Sequence, residues 1–242
     1  MELTVRDATA ARPHEHHRNV QGGTARAAVF GVSDGLLTNV SLILGVAGAH
    51  PPAGVVRLAG IAGLLAGAFS MAAGEYVSMR AQTELLEREL DMERIELRHN
   101  PNVEAVELAQ IYAARGIHPD TARQMAEEVG ADLDLALATH AREELGISPD
   151  ELGSAPRAAL SSFVTFSIGA LVPLLPWFLT GGGPAEVASV VLTAVAALIV
   201  GALLARFTGR SALRSALRQL GIAVVAAGVT WLVGRVVGVG VG

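Results

Sequence analysis

Residues 26–49 read RAAVFGVSDGLLTNVSLILGVAGA, and this stretch decides the class of fold. It is long and apolar enough to cross a bilayer, which takes about 20 residues. A carboxylate, Asp34, nevertheless lies inside it. A charge at the bilayer centre costs about 2.5–3.5 kcal/mol on insertion scales, so such an acid normally faces a bundle interior or an aqueous path. Asp34, Thr38 and Ser41 have the i, i+4, i+7 spacing of one helix face, which predicts a polar stripe.

The alternative for Asp34 is structural: a buried acid that caps a kink or pairs with an arginine. Only Arg235, near the end of another apolar stretch, is placed to be such a partner. The default for an intramembrane acid favours a functional role.

Composition supports a membrane protein with a polar insertion. The chain has 242 residues, of which 51% are hydrophobic and 17% charged, and its mean hydropathy is +0.45. Soluble domains carry about 25% charged residues. The absence of cysteine excludes disulfides and thiolate metal sites. The net charge of −5 argues against nucleic acid as a partner.

Five apolar stretches predict an all-α membrane protein. They cover residues 27–49, 55–79, 158–179, 187–207 and 219–239. Arginines concentrate before the first stretch, between the second and third, and between the fourth and fifth. The positive-inside rule then places the N-terminus in the cytoplasm and the C-terminus outside. The predicted organisation is a flexible tail (1–25), spans one and two (26–80), a cytoplasmic helical metal-binding domain (81–152) and spans three to five (153–242).

The sequence also predicts how these elements are built. The second span continues without a breaker into a polar helix that ends at Asn100-Pro101, and three short acidic helices follow. Small residues in i, i+4 pairs, Gly31 with Gly35 and Gly63 with Gly67, predict close helix packing, either in one chain or across a dimer.

In the second span, Met71 and Glu75 lie one turn apart. A thioether is a soft ligand and a carboxylate a hard one, so the pair can line a cation path. Met71 alone is also typical of a lipid-facing residue, and Glu75 of the membrane surface.

The insertion carries acidic pairs on single helix faces. Glu93 with Glu96, and Glu104 with Glu107, share an ExxE spacing, and His140 with Glu144 lie one turn apart. Oxygen and imidazole donors suit a first-row divalent ion such as Fe²⁺ or Mn²⁺. Any one pair alone is more typical of a solvated helix face. His14, His16 and His17 in the tail form a weaker candidate, because nothing organises them.

The segments GVSDGLLTNVSLILGVAGA and GAFSMAAGEYVSM resemble the vacuolar iron transporter family, and the order of spans and insertion matches from residue 26 onward. The resemblance implies a five-span homodimer that exchanges divalent metal for protons along a path lined by Asp34 and Met71. It implies metal binding by Glu residues of the insertion, which here correspond to Glu93, Glu96, Glu104, Glu107 and Glu144. A bacterial member would export metal across the plasma membrane, and no organic cofactor is expected.

His140 departs from the plant pattern, which has methionines about one turn before the last Glu. Imidazole suits Fe²⁺ but also Zn²⁺, Ni²⁺ and Co²⁺, so the preferred metal stays open.

Two other functions compete with transport. Glu96-xx-His99 has the ExxH spacing of ferritin-like di-iron sites, which suggests a membrane-anchored oxidase or iron store, although such sites need two motifs. A metal sensor or membrane scaffold would bind metal without moving it.

Overall fold

A computed structural model describes residues 23–146 and 153–239. Over these residues the chain is helical and contains no strand. The helices are α1 (Gly23–Ala47), α2 (Ala53–His99), α3 (Pro101–Ala114), α4 (Pro119–Gly130), α5 (Leu133–Glu143), α6 (Ala155–Leu174), α7 (Pro176–Leu179), α8 (Gly182–Thr208) and α9 (Ala212–Val239).

The prediction of five spans is confirmed. Five of the described helices, α1, α2, α6, α8 and α9, are long and apolar enough to cross a membrane. The third span is interrupted as its prolines predict, because α6 ends at Leu174 and α7 begins at Pro176. Ser189 on α8 donates a hydrogen bond to the Pro173 carbonyl (2.7 Å) and accepts one from the Trp177 indole (3.1 Å). These bonds satisfy polar groups that the break leaves inside the bundle.

Helix α2 is continuous over 47 residues. At 1.5 Å per residue it is about 70 Å long, whereas the hydrocarbon core of a bilayer is about 30 Å thick. The helix therefore extends well beyond the membrane and carries the polar helices α3, α4 and α5 at its far end. Asn100-Pro101 ends it, as predicted, because proline lacks the amide that would continue the helical hydrogen bonds.

Helix α1 lies at the centre of the membrane bundle and approaches α6 closely. A side chain at Gly35 would meet the backbone carbonyl of Phe166, and one at Gly169 would meet the backbone carbonyl of Val32. On α2, Gly67 lies against the Phe166 ring. The close packing predicted from the small residues is confirmed, and these contacts lie within one chain. In lipid, such close backbone approach is a main source of helix association.

Helices α3, α4 and α5 have small apolar cores of their own. Leu108 and Tyr112 of α3 pack on Ala122 and Ala126 of α4. Where α5 meets α2, the buried residues are Leu97, Ala136 and Leu137. Helix α5 begins at an N-cap, Asp132, whose carboxylate accepts hydrogen bonds from the amides of residues 134 and 135.

Candidate metal centre

Four side chains with metal-binding atoms converge where α2, α3 and α5 meet. They are Glu93 of α2, Glu104 of α3, His140 of α5 and Glu144, which directly follows α5. One potential ligand atom from each lies within 4.8 Å of all the others. Two ligands on opposite sides of an ion bound at about 2.1 Å are about 4.2 Å apart, so a small contraction would close the group on a single ion.

The group is unusually buried for so many acids. Glu93 is 7% exposed, Glu104 6% and His140 2%, while Glu144 is partly buried. Ionised carboxylates are almost never buried unless they are paired or coordinate a metal. Burying three carboxylates around one imidazole is therefore costly for the metal-free protein.

Hydrogen bonding within the group leaves a carboxylate oxygen without a donor. The Nδ1 atom of His140 lies 2.6 Å from Glu144 Oε1, 3.1 Å from Glu93 Oε1 and 3.8 Å from Glu104 Oε2. The hydrogen bond of this nitrogen is the one to Glu144, and Glu93 Oε1 is buried without a hydrogen-bond partner. A cation at the centre would satisfy this oxygen together with the others.

The packing of each helix explains the convergence. Glu93 and Leu97 lie one turn apart on the face of α2 that is buried against α5. Glu104 and Leu108 are likewise one turn apart and buried on α3. The break at Asn100-Pro101 turns the chain, so that α3 brings Glu104 beside Glu93.

The C-terminal end of α5 is held by an ion pair from the neighbouring helix. Arg115, at the end of α3, pairs with the Glu143 carboxylate and reaches its backbone carbonyl (3.5 Å). This contact lies between His140 and Glu144 along the chain, so it helps to position both of these candidate ligands. Arg115 was absent from the predicted site, because no local sequence pattern connects it to α5.

The electrostatics of the group favour protonation when no cation is present. Burial, with the charges of Glu144, Glu104 and Glu96, raises the pKa of Glu93 to about 7, against the lowering effect of His140. Burial likewise raises the pKa of Glu104 and of Glu144. The site can therefore hold protons that an arriving metal ion would displace.

The other two predicted ligands lie beside this group. Glu96 and Glu107 are exposed and lie outside the set of mutually close atoms. Both are near enough for their charges to raise the pKa of Glu144. As metal ligands they stay a prediction.

In the membrane, Asp34 and its stripe lie on the outer surface of the single chain. Asp34 and Thr38 are exposed, and the Thr38 hydroxyl donates a hydrogen bond to Asp34 (3.4 Å). Ser41 on the same face is partly buried. Asp34 forms no ion pair within the described residues, and the guanidinium of Arg235 lies instead over the Trp231 ring (5.4 Å). The alternative of an Asp34–Arg235 pair is not realised.

The opposite face of α1 carries polar residues that position it. Asn39 is fully buried and donates to the backbone carbonyl of Ala170 on α6 (2.6 Å), and Ser33 accepts a hydrogen bond from Gln219 on α9 (2.5 Å). Neither Asn39 nor Gln219 was among the predicted site residues. Each is a polar residue inside an apolar stretch, and this polarity is the sequence signal that could have found them.

Met71 and Glu75 are both partly buried on α2. Met71 packs against the cluster of Ala68, Phe166 and Ala170. The tail histidines His14, His16 and His17 lie outside the described residues.

The motif behind the di-iron alternative is not assembled. His99 is exposed, and its Nδ1 lies 2.8 Å from the backbone carbonyl oxygen of Ile95 on the same helix. The imidazole in the buried group is that of His140 instead.

Comparison with known proteins identifies the family. The family model described as "VIT family" matches residues 25–235. The chain belongs to the VIT family. Vacuolar iron transporter 1 of Oryza sativa subsp. japonica is 33% identical over 224 residues, which cover 91% of this chain and 89% of that protein. Vacuolar iron transporter 1 of Arabidopsis thaliana is 33% identical over 227 residues, with 92% and 91% covered. Vacuolar iron transporter 2 of Oryza sativa subsp. japonica is 34% identical over 218 residues, with 88% and 87% covered.

Membership in the VIT family agrees with the five spans and makes the chain a multi-pass membrane protein of a metal-transporter family. Its named relatives are transporters, in line with the expectation that it is not an enzyme.

Proposed function

We propose that this VIT-family protein moves Fe²⁺ out of the cytoplasm in exchange for protons. The observation that carries the proposal is the buried group of Glu93, Glu104, His140 and Glu144. It is attached to the same helix, α2, that enters the membrane and bears Met71 and Glu75. Iron transport by the named relatives supports the choice of cargo.

In this mechanism the cytoplasmic group loads the ion and α2 leads it to the membrane. Glu93 and Glu75 are 18 residues apart on one unbroken helix, which corresponds to about 27 Å. The ion leaves the buried site, reaches the membrane mouth at Glu75, and passes the Met71 thioether and the Asp34 carboxylate. On the far side a proton replaces the cation on Asp34, and the metal is released outside.

The exposure of Asp34 supports a homodimer. In a single chain this carboxylate and Thr38 would face lipid, at a cost of about 2.5–3.5 kcal/mol for a charge at mid-bilayer. A second copy that covers this face would turn the two exposed stripes into one enclosed path. We therefore propose that the translocation path of Asp34, Thr38, Ser41, Met71 and Glu75 forms between two chains in the plasma membrane.

The direct test measures metal-dependent proton flux in proteoliposomes. Purified protein is reconstituted with a pH-sensitive dye and a metal-sensitive dye inside the vesicles. Asp34→Asn should abolish both fluxes while the cytoplasmic group still binds metal. The matched control is Asp120→Asn, which changes an exposed acid on α4 and should leave flux unchanged. Normal coupled flux in Asp34→Asn would refute the role given to Asp34.

The metal preference is tested in the same vesicles. Competition of Mn²⁺, Zn²⁺, Co²⁺ and Ni²⁺ against Fe²⁺ ranks the cargo, and replacing His140 by Met is expected to reduce the share of Zn²⁺ and Ni²⁺, because imidazole is the better ligand for both. Oxygen consumption with turnover on addition of Fe²⁺ would instead support the ferritin-like oxidase. Metal binding without any flux would support a sensor or scaffold.

A further inference from the structure

A groove at the end of the membrane bundle opposite α3–α5 is unused by the proposed transport path. It lies between α1, α8 and α9 and encloses a cavity of about 410 Å³. Its walls are mainly aliphatic, with Val187, Val190 and Val191 on one side and Val224 and Ala227 on the other. The shape and chemistry suit an acyl chain.

One carboxylate interrupts this apolar lining. Glu186 lies in the second turn of α8, lines the groove and is partly buried. Within the described part of the chain it has neither an ion-pair partner nor a hydrogen-bond donor. Its oxygens are therefore free to accept hydrogen bonds from a ligand in the groove. A ligand that supplies N–H donors and positive charge would form charge-assisted hydrogen bonds with it.

The groove also borders a tryptophan and an arginine. Trp231 of α9 lines it, and the exposed guanidinium of Arg235, one turn further along α9, lies over the indole ring at 5.4 Å. Tryptophan is enriched at the level of lipid headgroups, and arginine binds phosphate well. Acid and aromatic ring thus line one apolar groove, and the guanidinium lies beside the ring.

We propose that this groove is a binding site for one phospholipid with a primary-ammonium headgroup, phosphatidylethanolamine. An acyl chain lies between the valines, the ammonium donates hydrogen bonds to Glu186, and the phosphate contacts Arg235. Charge complementarity selects this headgroup. A choline headgroup has no N–H to donate to Glu186, and a glycerol headgroup brings no positive charge to it.

The test uses the full-length protein, stripped of lipid in detergent and titrated with three lipids of identical acyl chains: phosphatidylethanolamine, phosphatidylcholine and phosphatidylglycerol. Native mass spectrometry counts the bound lipid, and the shift in melting temperature reports its affinity. We expect one phosphatidylethanolamine to bind about tenfold more tightly than phosphatidylcholine, the range of a hydrogen bond to a charged group. Glu186→Gln should reduce this preference to near parity.

A second pair of variants tests the groove itself. Gly228 lines the cavity, and a Cβ added there would meet no atom within 4 Å. Gly228→Leu should therefore fold, fill the groove and lose tight binding of all three lipids. Gly221→Leu is the matched control, because Gly221 is also on α9, also has open space, and lies outside the lining. It should bind as the wild type does.

Three results would overturn the proposal: equal binding of the three lipids by the wild type, an unchanged preference in Glu186→Gln, or wild-type binding by Gly228→Leu. None of these depends on whether the protein transports iron, because Glu186 and Gly228 lie outside the proposed path.

Discussion

Replacing Glu93 by Gln tests the candidate metal centre most sharply, because it removes one charge and preserves the shape of the side chain. The pKa of Glu93 is raised to about 7 by burial and by the neighbouring acids. This carboxyl is therefore about nine-tenths protonated at pH 6 and about nine-tenths ionised at pH 8. A metal ion binds the ionised form. Competition from this single proton should weaken binding about elevenfold at pH 6 and hardly at all at pH 8.

The expected result for the wild type is an apparent Kd that falls at least tenfold between pH 6 and pH 8. Isothermal titration with Mn²⁺ or Co²⁺, in detergent and in buffers of different ionisation enthalpy, gives both the Kd and the number of protons released. Glu93→Gln should bind metal more weakly than the wild type at pH 8. The ratio of its Kd at pH 6 to its Kd at pH 8 should be about tenfold smaller than the wild-type ratio. Glu87→Gln, at an exposed position of the same helix, is the control and should match the wild type.

The same pKa predicts how the stability of the metal-free protein depends on pH. The folded protein holds this proton more tightly than the unfolded chain, whose carboxyl has an ordinary pKa of 4.5. The resulting stabilisation is full below pH 4.5 and is lost as the pH rises through about 7. At about 1.4 kcal/mol per tenfold change in proton affinity, the ionised carboxylate is destabilised by up to about 3 kcal/mol. A Kd that does not vary with pH, or equal pH dependence in Glu93→Gln, would refute this account of the site.

Three further predictions concern packing, positioning and charge. Gly35→Ala should destabilise the protein by about 1–3 kcal/mol, because the new Cβ meets backbone atoms of α6. The measurement is a lower melting temperature in detergent. The control, Gly74→Ala at an open position of α2, should melt as the wild type does. Arg115→Ala should raise the Kd for Mn²⁺ about two- to fivefold by releasing the end of α5, and Arg115→Lys should recover part of the loss. Glu96→Gln should move the pH midpoint of metal binding downward, because its charge raises the pKa of Glu93, with less loss of affinity at pH 8 than Glu93→Gln.

Much of the fold was predictable because its signals are local. The length of each apolar stretch requires a span, and proline ends or breaks helices by removing a backbone donor. These rules predicted the five spans, the break in the third and the end of α2 at Asn100-Pro101. The resemblance of residues 31–49 to VIT proteins was likewise in the sequence and is confirmed by the family match.

Tertiary structure decided which of the acids meet. Spacing alone makes Glu93 and Glu96 equivalent members of a pair, as it does Glu104 and Glu107. The angle at which α3 and α5 pack on α2 buries Glu93 and Glu104 beside His140 and leaves Glu96 and Glu107 exposed. Helical periodicity specifies which residues share a face but not which neighbour that face contacts.

The same distinction applies to residues 26–49. Their sequence determined a helix with Asp34, Thr38 and Ser41 on one face. Only the packed bundle showed that this face points outward. On the other faces of α1, Asn39 and Ser33 form hydrogen bonds to α6 and α9, and the glycines allow close packing against these helices. The homodimer proposed above would cover this acid, which stays exposed after its own chain has folded. Polar contacts and close backbone packing inside the chain thus fix the direction in which Asp34 points.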